Sequence, residues 1–559
     1  MASTDLLICP LCSDRVDRLV YRFHVESESE VIHRIKTDHT DWVENDGACS
    51  RCVDYYHTEV VVHQRILPEA GPHFPVKSVD DFIILPTPLR LDADPHFTGK
   101  GITICLIDSG FYLHDDLIRT SNRVKAIVDI TELKQKSNYF TLSHPESWHG
   151  TMTSVVCAGD GFSSNGLYKS IASEAELVLI KTQITNEADP NNGKITTKNI
   201  TAALQWVLHH HKKHNIKIVS ISLGDDKPLT QKESSVNQLA EQLIEKGIVV
   251  VAAAGNELDG QLKPPASSPN VITVGGLDDV NQLGKQNTGL YHSTFGATLD
   301  GFMKPELIAQ AIWLAAPILP GTSEKREAEW LHQMVKLSDT EWQVFVKKNQ
   351  AALREETKLP WDSIFNLNDL QQKVKERIQT TKFFSPHYMH VDGTSFAAPI
   401  VSSIIAQLLQ CNPSLTPQEV RSILFKTAKR LPNFEAARQG FGVVHPRRAI
   451  TQLMKLDKPA PILRSPIINK AKNKIEFYVQ HEGAHQISLA GDFNDWTRDV
   501  LFLVPCKGGF WKIELPLLPQ GTYHYKFLVD EQYWMEDICN PLREPDNYNG
   551  FNSVFKVTV

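Results

Sequence analysis

The sequence lacks the features of an exported or membrane-spanning protein. Its first residues, Met1 to Val20, contain no basic start, unbroken apolar core or small-residue cleavage site, so we expect no secretory signal peptide. We see no later run of about 18 apolar residues that would cross a bilayer. These absences predict a soluble, cytoplasmic protein without a membrane partner.

A broad basic surface is missing as well. The chain has 58 Lys+Arg against 65 Asp+Glu, which gives a formal net charge of -7. Nucleic acids attract proteins through a surplus of positive charge, so we expect no nucleic-acid partner. With 559 residues the chain is too long for one ordinary hydrophobic core, which predicts several domains.

Cysteines are few and unevenly placed. Of the nine, Cys9, Cys12, Cys49 and Cys52 form two C-x-x-C pairs, and the other five stand alone. This pattern suits a reducing compartment, and four thiolates from two turns are the ligand set of a closed, structural zinc site. Unrelated reduced thiols are the alternative. Because such a site has no open position, zinc would take no part in catalysis.

From Gly101 onward, short apolar runs alternate with amphipathic helical patterns. This alternation predicts an α/β fold, a parallel sheet with helices on both faces. The predicted strands are Ile102–Ile107, Ile216–Ser222, Ile248–Ala253 and Val271–Val274, and the predicted helices include Asn199–His211 and Val236–Glu245.

Three segments of this region each carry one chemically apt residue beside small residues. Asp108 ends a predicted strand in Ile-Asp-Ser-Gly, His149 lies in His-Gly-Thr, and Ser395 begins a helix in Gly-Thr-Ser-Phe-Ala-Ala-Pro. Amide hydrolysis by a serine needs a base to take its proton and a group to orient that base. Asn256, in Ala-Ala-Gly-Asn just after a strand, can donate to the oxyanion.

The order Asp, His, Asn, Ser in these motifs resembles the subtilase family of serine endopeptidases over about residues 80 to 455. The resemblance implies a subtilisin-like fold, with Asp108 as the orienting acid, His149 as the base and Ser395 as the nucleophile. It also implies that Asn256 completes the oxyanion hole. The segment Ser222, Leu223 and Gly224 resembles the family's substrate-binding strand.

Some positions depart from the family pattern. Asp225 stands where a second glycine is common, and Lys263 falls near the floor of the specificity pocket or, alternatively, on a solvated loop. The family commonly binds calcium, which is therefore a second candidate cofactor. Asp116 is a candidate ligand by position, but the loop that should complete the site is not recognisable.

The carboxy-terminal residues resemble the glycogen-binding module of the AMP-activated kinase β subunit and of starch-branching enzymes. The supporting motifs include Leu-Ala-Gly-Asp-Phe-Asn-Asp-Trp at 489–496 and Tyr-His-Tyr-Lys-Phe at 523–527. The resemblance implies that Trp496 and Trp534 stack on sugars while Lys526 and Asn552 bind hydroxyls. Gly550 replaces a usual threonine, and the alternative is a sandwich whose tryptophans only pack.

These patterns divide the chain into five predicted segments. They are a zinc-ribbon-like module with four cysteines (1–60), a connecting segment (61–99), a subtilisin-like peptidase domain with a helical insert at 323–381 (100–455), a linker (456–468) and a glycogen-binding-like β-sandwich (469–559).

The sequence thus predicts a serine endopeptidase that cleaves protein or peptide substrates through an acyl-enzyme and is targeted by a glucan-binding module. One alternative is a catalytically silent scaffold that binds glucan or protein. A second is a carbohydrate hydrolase or transferase, but we find no motif for the pair of reactive carboxylates that it requires.

Overall fold

The computed structural model describes most of the α/β region and the carboxy-terminal part, and pieces of the amino terminus. The described residues are 7–11, 15–16, 19, 29–49, 52–53, 56, 84–131, 138–184, 194–281, 288–361, 366–455, 465–481, 483–506 and 509–558. The predicted ligand Cys12, nearly all of the connecting segment before residue 84 and most of the linker lie outside these ranges.

The amino-terminal residues form a small cluster of their own. Strands β1 (Leu7–Ile8) and β2 (Arg15–Val16) pair antiparallel, and helix α1 (Ser29–Asp38) follows. Val31, Ile35 and Trp42 are buried together. A second buried group consists of Cys9, Cys49 and Cys52, so the thiols are packed beside this small core.

The α/β region is built on one eight-stranded sheet. Across the sheet its parallel strands are β12 (Leu307–Gln310), β8 (Ile272–Asp278), β7 (Val249–Ala253), β6 (Ile216–Ile221), β3 (Thr103–Asp108), β5 (Glu176–Lys181) and β4 (Val124–Asp129). Short β9 (Gly289–Leu290) pairs antiparallel with β8, and β10 (Gly296–Ala297) pairs with β11 (Met303–Lys304). The predicted parallel sheet is confirmed.

Helices cover both faces of this sheet, and the strands alternate between two cores. Ile104 and Leu106 of β3 belong to one core, whereas Cys105 and Ile107 belong to the other. The helices of this region are α2 (Thr87–Arg90), α3 (Asp115–Ile118), α4 (Ser147–Ala158), α5 (Thr197–His214), α6 (Ser235–Glu245), α10 (Thr394–Cys411), α11 (Pro417–Thr427), α12 (Ala436–Gln439) and α13 (Pro446–Lys455). Burial on both faces explains why β3 is almost wholly apolar.

Helix α10 is the central helix of the first core. By length and hydropathy it is the one described helix that would suffice to cross a membrane, contrary to the expectation from sequence, yet 83% of it is buried inside the protein. Its apolar composition is therefore accounted for by the core, where Ile400, Val401 and Ile404 are fully buried.

Residues 323–380 contain three helices that share a separate small core. They are α7 (Ser323–Met334), α8 (Asp339–Glu356) and α9 (Leu367–Thr380), with Leu331, Trp342, Leu353 and Val374 buried between them. The paired strands β13 (Leu314–Pro317) and β14 (Tyr388–Val391) flank them. Trp148, next to His149, packs against Ile318, Ala328 and Phe383 at the base of this lobe.

The carboxy-terminal region is a sandwich of two antiparallel sheets. One contains β15 (Ile467–Asn469), β16 (Lys474–Gln480), β20 (Phe510–Pro516) and β19 (Val504–Pro505); the other contains β18 (Leu501–Phe502), β17 (Ile487–Gly491), β21 (Gly521–Val529), β24 (Phe551–Val557) and β23 (Arg543–Pro545), with β22 (Tyr533–Met535) beside β21. Inward residues such as Phe477, Leu489 and Phe527 fill its core. The predicted β-sandwich is confirmed.

This sandwich is fixed to the α/β region by charged and aromatic contacts. Arg430 donates two hydrogen bonds to Glu536, at 2.6 and 2.9 Å. The Arg543 guanidinium lies 4.2 Å from the ring centroid of Phe441 and 4.4 Å from that of Phe551. Such paired and stacked arginines give a defined orientation between the two units.

Candidate active site

The parallel sheet gathers the predicted catalytic segments at one edge. Asp108 is the last residue of β3, Ser222 follows the end of β6, and Asn256 comes three residues after β7. Because parallel strands end at the same edge, these residues open into one crevice. His149 and Ser395 lie in the first turns of α4 and α10, which are joined by the hydrogen bond from Ser403 Oγ to Cys157 O at 2.6 Å.

Asp108 and His149 are in direct contact. The distance from Asp108 Oδ1 to His149 Nδ1 is 2.6 Å, and the carboxylate is buried. Both carboxylate oxygens of Asp108 accept a further hydrogen bond: Oδ1 accepts from Ser109 N at 2.6 Å, and Oδ2 accepts from Thr153 Oγ1 at 2.9 Å. The carboxylate is thus fixed by three donors and leaves His149 Nε2 directed away from it.

The close approach of the two segments requires glycine at position 150. A Cβ there would stand 2.1 Å from Gly110 O and 3.1 Å from Asp108 Cβ. Any larger residue would push α4 away from the end of β3 and separate the imidazole from the carboxylate. This gives the Gly of the His-Gly-Thr motif a direct structural reason.

The environment changes the pKa of the imidazole. Removal from water disfavours the charged ring, but the neighbouring Asp108 charge and its hydrogen bond outweigh this cost and raise the pKa of His149 above its ordinary value. The ring therefore becomes a stronger base, and it protonates at a higher pH than a free histidine.

Ser395 lies beside the Ser222 segment. Its Oγ donates to Ser222 O at 3.4 Å, while Ser222 Oγ donates to Ser395 O at 2.7 Å. Among the described contacts, the Ser395 hydroxyl is not hydrogen-bonded to His149; the ring of His149 lies 5.8 Å from that of Phe396, the next residue. Catalytic hydrogen bonds are often long or misaligned before substrate binds.

Asn256 is held by the residue that precedes Ser395. Its Oδ1 accepts hydrogen bonds from Thr394 N and Thr394 Oγ1, both at 2.9 Å. His292 Nδ1 lies 2.8 Å from Asn256 O and supports the same loop. Because the acceptor end of the amide is bound, the Nδ2 donor is oriented for another partner. Sequence reasoning did not identify Thr394, His292 or Thr153, because each acts through a contact with a distant residue.

The predicted substrate strand follows β6 along the same edge. Asp225 N donates to Pro264 O at 2.8 Å, which ties Ser222, Leu223 and Gly224 to the loop before β8. A Cβ on Gly224 would be 3.8 Å from Lys263 Cβ. Lys263 therefore lies beside this segment, and it is partly exposed.

Three of the four predicted zinc ligands come together at the amino terminus. The sulfur atoms of Cys9, Cys49 and Cys52 lie within 4.8 Å of one another, and those of Cys9 and Cys52 are 3.8 Å apart. A tetrahedron with Zn–S bonds of about 2.3 Å has edges of about 3.8 Å, so this spacing fits zinc and is far too long for a disulfide. Cys12 lies outside the described residues.

Three of the predicted sugar-contact residues, Lys526, Trp534 and Asn552, lie on strands of one sheet of the sandwich, and Trp496 lies in the turn after β17, next to Trp534. The ring centroids of Trp496 and Trp534 are 6.2 Å apart, at an interplanar angle of 65°. Trp496 Nε1 donates to Asp492 Oδ1 at 2.9 Å. Tyr525 on β21 pairs directly with Ser553 on β24. Lys526 follows Tyr525 and Asn552 precedes Ser553, so the Lys526 and Asn552 side chains point to the same face of the sheet.

Lys526 already has a partner in this structure. Its ammonium donates to Asp546 Oδ2, and Asp546 Oδ1 accepts from Tyr548 N and Gly550 N, both at 2.7 Å. Burial opposes the charge on Asp546, but these hydrogen bonds lower its pKa. An ammonium has three donors, so Lys526 retains capacity for a sugar hydroxyl.

Comparison with known proteins identifies the α/β domain. Residues 99–442, more than half of the chain, match the Subtilase family. The chain belongs to the subtilase family. Residues 475–558 match the glycogen recognition site of AMP-activated protein kinase. As a subtilase the protein is a subtilisin-like serine protease, and it carries a glycogen-recognition-like module after its catalytic domain.

Individual relatives are distant. Serine protease AprX of Bacillus subtilis (strain 168) is 27% identical over 361 residues, which cover 63% of this chain and 67% of AprX. The cuticle-degrading serine protease of Arthrobotrys oligospora is 25% identical over 38% of this chain, which spans 46% of that relative. Among solved structures, the match to sphericase covers 66% of this chain and 94% of the sphericase chain, with a TM-score of 0.41 and 20% identity. The match to fervidolysin from Fervidobacterium pennivorans covers 79% of this chain and 55% of the fervidolysin chain, with a TM-score of 0.44 and 17% identity.

The Asp116 carboxylate, the candidate calcium ligand, does not fit a calcium site. Asp116 is fully buried, its Oδ1 accepts from Ser163 N at 2.9 Å, and its Oδ2 accepts from the Tyr388 hydroxyl at 2.6 Å. A calcium ion needs several oxygen atoms at 2.3–2.6 Å. Asp116 therefore acts as a structural acceptor between α3 and β14.

The Asp108–His149 contact predicts a pH profile with a clear response to mutation. Since His149 must be neutral to act as a base, kcat/KM should fall as the pH drops through its raised pKa, above the ordinary value of about 6.5. Asp108→Asn removes the charge that raises this pKa. The acid limb should then move to lower pH, and the plateau rate should fall by about 10⁴-fold.

The measurement is kcat/KM for peptide hydrolysis between pH 4 and 9. His144→Gln, at a partly buried histidine five residues before His149, is the matched control and should leave the midpoint unchanged. A wild-type rate that stayed flat down to pH 4 would contradict the assigned base.

Proposed function

We propose that this subtilase cleaves peptide bonds through a triad of Asp108, His149 and Ser395. The observation that carries the proposal is the 2.6 Å contact between Asp108 Oδ1 and His149 Nδ1 at the same sheet edge as Ser395. With Nδ1 bound to the carboxylate, Nε2 is the nitrogen available to take a proton from Ser395.

In the proposed reaction, Ser395 Oγ attacks the scissile carbonyl carbon and passes its proton to His149 Nε2. The resulting oxyanion accepts hydrogen bonds from Asn256 Nδ2 and from Ser395 N at the positive end of α10. His149 then protonates the leaving amine, which departs and leaves an acyl group on Ser395. Water, deprotonated by the same imidazole, hydrolyses this ester and regenerates the serine.

Ser222, Leu223 and Gly224 are proposed to bind the substrate as an added strand. The segment extends from β6, and the mutual hydrogen bonds between Ser222 and Ser395 support its position beside the nucleophile. Pairing of this kind reads peptide backbone rather than side chains. The natural substrate is therefore proposed only as an extended protein or peptide segment.

Two substitutions test the proposed triad and oxyanion hole. Ser395→Ala should lower kcat on a peptide or on casein by about 10⁶-fold, and Asn256→Ala by about 10²–10³-fold with little change in KM, magnitudes transferred from subtilisin itself. Ser414→Ala, at an exposed serine, is the control. Casein hydrolysis by Ser395→Ala at the wild-type rate would refute the proposal and favour a silent scaffold with an unrelated contaminant.

We also propose that Cys9, Cys12, Cys49 and Cys52 bind one structural zinc ion. The 3.8 Å sulfur spacing of Cys9 and Cys52, and the donation of Cys49 N to Cys9 Sγ at 3.4 Å, support three of the four ligands. Zinc would supply cross-linking alone, since four thiolates leave no open position. A reducing compartment such as the cytoplasm would keep these thiols available.

The zinc proposal predicts one metal ion per chain. Purified wild type should contain about one zinc atom by elemental analysis, and Cys9→Ser or Cys12→Ser should lose it. Cys506→Ser, at an exposed cysteine, is the matched control and should keep the metal. Equal zinc content in all four proteins would contradict the assignment.

The carboxy-terminal module is proposed to target the protease to a glycogen-like glucan. Support comes from the family match at 475–558, from the position of Trp534, Lys526 and Asn552 on one sheet, and from the contact of Trp496 with Trp534. Aromatic faces suit the apolar C–H surface of a sugar ring, while the lysine and asparagine bind its hydroxyls.

Loss of one aromatic platform should weaken this binding. Trp496→Ala should lower retention on immobilised glycogen by about tenfold or more, without changing peptide hydrolysis. Tyr478→Ala, on the opposite sheet of the sandwich, is the control and should bind like wild type. Undiminished retention of Trp496→Ala would contradict the assigned face.

A further inference from the structure

A cleft of about 640 Å³ lies between the subtilase domain and the carboxy-terminal sandwich, where the two units do not pack tightly. One wall comes from α11, Phe441 and α13; the other comes from β22 and from His481, which follows β16. None of the described residues that line it belongs to the catalytic site. Its volume is typical of small-ligand sites, which are often found between domains.

The charged groups of this cleft are already engaged. Arg430 donates to Glu536 from both terminal guanidinium nitrogens, Nη1 and Nη2. Lys426 Nζ donates to Gln480 Oε1 at 3.1 Å across the cleft. Glu419 Oε2 accepts from Thr416 N and Thr416 Oγ1, at 2.7 and 2.8 Å. The two positive side chains, Lys426 and Arg430, balance the two negative ones, Glu419 and Glu536, so the cleft has no net charge that favours a phosphate or carboxylate and a neutral ligand fits better.

The remaining groups are neutral hydrogen-bonding and aromatic side chains. Gln452, His481, Tyr533 and Trp534 line the cleft. Tyr533 is 62% exposed. A sugar presents hydroxyls that suit the Gln452 amide and an apolar ring face that suits Tyr533 and Trp534.

Trp534 connects this cleft to the proposed sugar face. It lines the cleft and also lies 6.2 Å, between ring centroids, from Trp496. A linear glucan that crosses the two tryptophans therefore has a continuous route from the sandwich surface into the space bounded by the subtilase domain.

We propose that the cleft is a second glucan subsite, in which Gln452 of the subtilase domain binds sugar units of a chain too long for the sandwich face alone. The proposal rests on the glucan-binding function proposed above and extends it, because the catalytic domain itself contributes to recognition. A short oligosaccharide would occupy only the sandwich face, while a longer one would reach both units.

The test is isothermal titration of the full-length chain with maltotriose and with maltoheptaose. Wild type should bind maltoheptaose more tightly. Gln452→Ala should weaken maltoheptaose binding by about 3- to 10-fold, as expected for one or two lost hydrogen bonds, and leave maltotriose binding unchanged. Gln418→Ala, at an exposed glutamine of α11, should match wild type for both sugars. Peptide hydrolysis by each variant confirms that it is folded.

The possible outcomes separate the two proposals. If wild type binds neither sugar, the proposed glucan function fails and the cleft subsite fails with it. If wild type binds both sugars and Gln452→Ala binds maltoheptaose as tightly as wild type, the sandwich face stands and the cleft subsite is refuted.

Discussion

The contact between Asp108 and His149 is the interaction on which the catalytic arrangement depends. A buried carboxylate is costly unless its oxygens are hydrogen-bonded, and Asp108 meets this requirement with Ser109, Thr153 and the imidazole. The same contact fixes which ring nitrogen faces the substrate and raises the pKa of that ring. Position, tautomer and basicity of His149 therefore have one common origin.

This contact forms because the core aligns the elements that carry it. β3 lies inside the parallel sheet, between β6 and β5, and α10 covers one face of the sheet, so the ends of strands and the starts of helices meet at one edge. Gly150 permits the close approach of α4, and the buried α10 holds Ser395 against the Ser222 segment. The packing of the apolar helix α10 in the core and the geometry of the proposed catalytic residues are thus parts of one arrangement.

Much of this architecture was predictable because it is encoded in local patterns. Apolar runs located the central strands to within one or two residues at their starts. Helix caps are local signals of the same kind: Thr416, Pro417 and Glu419 form a capping box at the start of α11. Ser338 and Glu341 form another capping box at the start of α8. Local sequence does not always decide the cap: Asn366 caps α9 by accepting from Asp369 N, although Asn368 is a similar candidate two residues later.

Contacts between distant segments could not be predicted in this way. Three such hydrogen bonds form only in the folded chain, and no sequence motif predicts them. They join Thr153 to Asp108, His292 to Asn256, and Lys526 to Asp546. The same holds for the cleft between the subtilase domain and the sandwich, since neither unit contains it alone. The proposed reacting groups come from family motifs, whereas the residues that support them are visible only in the three-dimensional structure.

The central claim is that Ser395 is the nucleophile activated by His149. The most direct measurement is reaction of the purified chain with a fluorophosphonate, followed by digestion and mass spectrometry of the modified peptide. We expect one covalent adduct on Ser395 in wild type and its loss in His149→Ala. An adduct on Ser222 instead, or equal labelling of Ser395 without His149, would contradict it.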